Sequence, residues 1–159
     1  MKGSNIQVIS DKYGNEVVPF AYFLYHNGNT DLDMLYMENV KAHSCTLNRV
    51  MLATNDNKLH IYTENSLNYF AETEFNLSPK AVKAEKYKLY HISTDDNVLY
   101  YQSGAVSSTW TPIKWYVSSL YAADGYTGVI TTDGTFSIIP DNGTWQEIAY
   151  NVKKAQILY

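Results

Sequence analysis

Three stretches of the chain repeat one pattern in different letters: Met51-Leu-Ala-Thr-Asn-Asp-Asn-Lys-Leu59, His91-Ile-Ser-Thr-Asp-Asp-Asn-Val-Leu99 and Ile130-Thr-Thr-Asp-Gly-Thr-Phe136. In each, an apolar run reaches a Thr, passes through an Asp-Asn or Asp-Gly turn and resumes as a second apolar run, which is the signature of a tight β-hairpin. The turns recur about forty residues apart, the spacing of a repeat architecture in which each unit is one supersecondary element.

Flanking landmarks extend each hairpin. A third strand follows, opened by Phe70, Trp110 or Trp145, and a strand headed by Val40, Val82 or Val117 precedes; a fourth valine, Val152, stands near the carboxyl end. Seven residues separate Trp110 from Val117 and Trp145 from Val152, whereas Phe70 and Val82 are twelve apart, the excess falling in a loop at residues 76–80. The landmarks divide one all-β domain into quasi-repeats 40–76, 77–115 and 116–150, with a fourth made of residues 4–38 plus 152–158. In that composite unit residues 6–10, 17–22 and 32–37 are the later strands and the carboxyl-terminal run is the first. The expected fold is a four-bladed β-propeller-like ring of antiparallel repeats, the last strand completing the first sheet and removing an exposed edge. Residues 78–86 also read as a short helix, with Ser78 as cap and Pro79 at the first turn, which would take the inner strand from the third blade.

Composition narrows the partners. The net charge is −4, and of twelve basic residues one, Arg49, is an arginine, so the guanidinium forks that read phosphates are nearly absent and nucleic acid is not an expected partner. Cys45 is the single cysteine, and no apolar run approaches the roughly 18 residues of a membrane helix. The first residues lack the apolar stretch of a secretory signal, so synthesis in a host cytoplasm is expected.

No motif carries catalysis. The turn carboxylates Asp56, Asp95, Asp96 and Asp133 are explained by hairpin geometry, because Asp, Asn and Gly tolerate positive φ. His43 and Cys45 alternate on a strand, but two ligands do not make a metal centre, and His60 and His91 fall at different places in their units. The eight glycines form no phosphate-binding loop. Neither a cofactor nor a metal is expected.

Asp141-Asn-Gly-Thr-Trp145 and, more loosely, Ser107-Ser-Thr-Trp110 resemble the corner of Asp-box and related propeller repeats. In those repeats the corner is peripheral and structural, so the resemblance implies a scaffold and no activity. Sialidases of that class clamp a carboxylate with several arginines, which a chain with one arginine cannot do.

The surplus is aromatic: fifteen tyrosines and three tryptophans exceed what core filling needs. A low-charge, Tyr/Asn/Thr-rich surface without a catalytic set points to a non-enzymatic structural or interaction module whose partners are other protein subunits. Its sequence style resembles accessory structural proteins of bacteriophage particles, which implies a place in a virion, on capsid or tail. The alternative is a lectin-like propeller that holds a cell-surface glycan between blades. The binding candidates are Trp110, Trp115, Tyr116, Trp145 and Tyr150, with the turn residues Asp96, Asn97 and Asp133.

Overall fold

A computed structural model of the chain describes residues 4–7, 20–27, 31–46, 48–64, 70–85, 87–123 and 125–156. Among these every regular element is a strand, so none is a helix long and apolar enough to cross a membrane. The first sheet holds β1 (Ser4–Gln7), β2 (Phe20–Asn27) and β3 (Asp31–Glu38). Three four-stranded sheets follow. The second contains β4 (Val40–Cys45), β5 (Arg49–Thr54), β6 (Leu59–Glu64) and β7 (Phe70–Phe75). The third contains β8 (Pro79–Ala84), β9 (Lys88–Ser93), β10 (Leu99–Ser103) and β11 (Thr111–Lys114). The fourth contains β12 (Val117–Ala123), β13 (Tyr126–Thr131), β14 (Phe136–Pro140) and β15 (Gln146–Ala149). Each is an antiparallel meander in chain order, as hairpin links require.

The sheets pack face to face in sequence order, and this explains why their second strands read as continuous apolar runs. β5 is buried along its whole length because alternate side chains serve different neighbours. Met51 and Ala53 pack with Val82, Ala84 and Leu89 of the third sheet, while Val50 and Leu52 join Val40, Tyr62 and Met37 on the side of the first. The next junction repeats the scheme: Tyr90, Ile92 and Leu99 meet Val117, Ala122 and Val129. Truncating a fully buried leucine such as Leu52 to alanine in such a layer costs about 3 kcal/mol.

Residues 79–84 are the strand that the repeat predicts and not the short helix that residues 78–86 also offered: Val82 and Ala84 enter the core with period two, and Ala84 N–H donates to Ser44 Oγ on β4, so packing overrides helix propensity. The landmarks, by contrast, shift. The first residue of that unit is Pro79 rather than Val82. Val40 pairs with Thr54, Pro79 with Ser93 and Val117 with Thr131, each followed by a bulge. Phe70 is likewise not the counterpart of the tryptophans. It lies opposite Glu64, five residues along the hairpin from the Leu59–Phe75 pair that opens it. Trp110 stands four residues before Lys114, which opens the matching pair with Leu99.

The carboxyl-terminal run departs furthest. Residues 152–156 form no strand and complete no ladder with the first sheet; residues 157–158 lie outside the described residues. Instead Val152 N–H donates to Gly134 O at 2.9 Å and Ala155 N–H to the Tyr121 hydroxyl at 3.3 Å, so the segment lies against the fourth sheet beside β12. No closed ring is formed among the described residues. At the amino end β1, β2 and β3 overlap the expected strands 6–10, 17–22 and 32–37, of which residues 8–10 and 17–19 lie outside the described residues. The expected turn at residues 12–15 and the edge role of Pro19 lie outside the described residues.

Candidate functional site

The Asx turns and the links between sheets meet on one face. In each turn a Thr or Ser closes the loop: Thr54 N–H donates to Lys58 O, Ser93 N–H to Val98 O and Thr131 N–H to Thr135 O, at 2.9–3.0 Å. The residue with positive φ is Asn57 (64°), Asn97 (57°) or Gly134 (85°), the types that tolerate it. The next residue of each turn reaches the link: Asn55 N–H donates to Asn39 O, Thr94 N–H to Ser78 O and Thr132 N–H to Tyr116 O. Turn and link are thereby one rim.

The aspartates are taken up by these turns. Asp133 Oδ1 accepts from the Thr131 hydroxyl at 2.6 Å and from Thr135 N–H at 3.0 Å. The Thr131 bond above all holds the Asp133 carboxyl below the usual range. Asp96 accepts from Val98 N–H and from the Tyr100 hydroxyl, both at 3.0 Å. Partial burial works against its charge, and these bonds prevail, so its pKa is also lowered. Asn97 Oδ1 accepts from the Lys80 ammonium.

The tryptophans divide by role. Trp110 is half-buried, edge-on to Phe75 of the second sheet at 6.1 Å and to His91 at 4.6 Å. Trp145 is half-buried in the junction of the third and fourth sheets, where its Nε1–H donates to Ile113 O at 3.1 Å and Lys114 lies over its ring at 5.1 Å. Both wedge neighbouring sheets together. Trp115 and Tyr116, by contrast, are 55% and 69% exposed, and Tyr150 is 67% exposed with its hydroxyl donating to Glu147 Oε2 at 2.9 Å.

Trp115, Tyr116, Asp133 and Glu147 line one groove of about 360 Å³ at the third–fourth junction. Asp96, Asn97 and Trp110 are not among its lining residues. A second opening of about 200 Å³ lies at the opposite end of the same junction, where Lys88 pairs with Asp141 beside Tyr90 and Tyr101. Burial pushes the Tyr90 phenol up, against the bond from the Thr127 hydroxyl.

Two features escape sequence reading. His60, Glu72 and Glu74 bring three ligand atoms within 4.8 Å of one another, a set able to hold a divalent metal, although His60 Nδ1 already meets Glu72 at 2.8 Å and Lys58 pairs with Glu74. The i, i+2 spacing of the glutamates on a strand was the available signal, but only the pairing of His60 with Glu74 brings the imidazole alongside. The other is Ser137, which is fully buried, lines the 360 Å³ groove and has no hydrogen-bond partner for its hydroxyl among the described residues. No local sequence signal marks it.

No family model and no curated protein matches the chain. Among solved structures it is similar to the N-terminal domain of Nup159, at 16% identity and a TM-score of 0.54. The similarity covers 75% of this chain and 32% of that one, so the chain spans under half the length of its structural neighbour. That neighbour is a β-propeller, and the likeness together with the antiparallel sheets makes this an all-β, β-propeller-like fold.

Proposed function

We propose that the chain is a non-enzymatic interaction module, an adhesive or structural accessory of a large assembly such as a bacteriophage virion, that binds through the aromatic rim of its third–fourth junction. The observation that carries this reading is Tyr116. Its φ of 59° is matched at two corresponding link positions by Asn39 (60°) and Asn151 (59°), residues suited to the left-handed region, whereas Ser78 at the third is not left-handed. A bulky residue there costs roughly 1–2 kcal/mol, and a side chain 69% exposed recovers little of it by burial. Strain kept without packing gain marks a binding residue, and Trp115 adds exposed apolar surface beside it in the same groove.

The absence of enzymatic activity is supported by Asp56, Asp96 and Asp133, whose carboxylates are lowered in pKa and engaged in turns rather than raised as a general acid would be. The virion setting rests on sequence style alone: low charge and a skin rich in Tyr, Asn and Thr. Four blades closed into a ring form the finer architecture of this proposal. The bond from Val152 to Gly134 repeats that from Val117 to Asn97, so the link after the fourth sheet begins as the link after the third does, which supports this architecture.

The test is the mass of the native particle that contains the chain, set beside that of the purified chain and of a Trp115→Ala/Tyr116→Ala variant. A large stoichiometric complex that the variant fails to join is expected. A free monomer or small oligomer in every setting overturns the reading.

A further inference from the structure

The repeat supplies its own control for the groove. β6, β10 and β14 open with Leu59, Leu99 and Phe136, which pair with Phe75, Lys114 and Ala149. The next residue of each strand is His60, Tyr100 or Ser137, so these three occupy one position of the repeat. In the second sheet His60 is met by Glu72 at 2.8 Å. In the third, Tyr100 stacks on His91 with ring centroids 5.1 Å apart and reaches Asp96 through its hydroxyl. In the fourth, a serine stands in that place, and the groove of about 360 Å³ opens around it.

Ser137 is the telling residue. Its side chain is small and fully buried where its counterparts carry a ring, and the groove beside it is lined by exposed Trp115 and Tyr116, with Asp133, Glu147 and Thr132. Hydroxyl groups that both donate and accept suit such a lining, and apolar ring faces suit the two aromatics. The carboxylates of Asp133 and Glu147 disfavour an anion, and Lys114 already lies over the Trp145 ring. The volume falls in the range of small-molecule sites.

We propose that this groove binds a neutral saccharide, one ring against Trp115. The inference rests on the rim being the binding surface and names its ligand class. Asp133 and Glu147 accept the sugar hydroxyls, and the small volume limits the contact to one or two rings.

The experiment titrates the full chain with neutral methyl glycosides of glucose, galactose, mannose and N-acetylglucosamine, and with cellobiose and lactose, following tryptophan fluorescence and heat. At least one is expected to bind with a Kd of about 1 mM, the affinity of a small open site. Trp115→Ala should weaken it by about tenfold or more. Ser137→Tyr, which puts a ring where Tyr100 stands in the third sheet, should abolish it; Trp115→Ala covers the case in which that variant does not fold. No binding by any probe at about 50 mM, or binding untouched by Trp115→Ala, overturns the proposal. The same variants are scored for joining the native particle. If Trp115→Ala blocks assembly while no sugar binds, the rim is a protein interface and only the saccharide inference fails. If neither property exists, both readings fail.

Discussion

Replacing Tyr116 by asparagine should stabilise the protein, an unusual expectation for loss of an aromatic. The residue sits at φ 59° immediately before β12, and its carbonyl accepts from Thr132 N–H at 2.7 Å, a bond that any residue preserves. The left-handed backbone costs a tyrosine roughly 1–2 kcal/mol, and Asn39 and Asn151 show what two corresponding links use instead. Against this, a side chain 69% exposed buries only tens of Å², whose loss costs about 0.5 kcal/mol. The net gain is about 0.5–1.5 kcal/mol, or a rise in Tm of about 1–6 °C for a chain of this size. Urea melts of Tyr116→Asn and Tyr116→Ala measure it, since alanine removes the ring but keeps the unfavourable backbone. Asparagine should exceed alanine by about 1 kcal/mol. Equal stabilities for the two would refute the strain argument, and a large loss in both would show that the ring packs.

Three further outcomes follow from packing and burial. His91 is buried against Tyr100 and Trp110, and desolvation lowers its pKa from 6.5 to about 4 despite the nearby Asp96. Its unfolded form takes up a proton first, so its contribution is complete above pH 6.5 and is lost as pH falls toward 4. The loss is on the order of 3 kcal/mol, and denaturant melts of His91→Phe across that window should lack it. Trp145→Ala should cost about 3 kcal/mol in urea unfolding, through the emptied junction and the lost bond to Ile113 O. Gly134→Ala should cost about 1–2 kcal/mol, because φ is 85° there, and its thermal melt should fall accordingly.

The hairpins were legible because their information is local. An Asp-Asn or Asp-Gly step carries the backbone freedom that the turn needs, and the observed positive φ values at Asn57, Asn97 and Gly134 sit inside the three segments that defined the repeat. Phase between units was not local. Val82 looked like the counterpart of Val40 and Val117, yet the bond from Thr94 to Ser78 O and the bulge after Pro79 set that unit three residues earlier. The side to which an aromatic turns was hidden for the same reason: Trp110 and Trp115 are five residues apart, one wedged against Phe75 and the other 55% exposed. His60 with Glu72 and Glu74 depends on the register of β6 and β7, which no spacing in the sequence reveals.

Two conditions for a ligand groove coincide at one junction only among those described. The repeat position after the opening residue of the third strand must be small, and the link across from it must carry aromatics. The second–third junction offers Leu77-Ser78 in the link before β8, where the third–fourth offers Trp115-Tyr116. It is also closed by Tyr100, whose ring stacks on His91 and whose hydroxyl reaches Asp96. Tyr100→Ser should therefore cost about 2 kcal/mol in stacking and hydrogen bonding without conferring a second sugar site. A variant that lost this stability and bound two sugars per chain would show that a small residue suffices. A variant that bound one would show that the aromatic link is the second requirement, and that strain at Tyr116 is retained because the link must face the ligand.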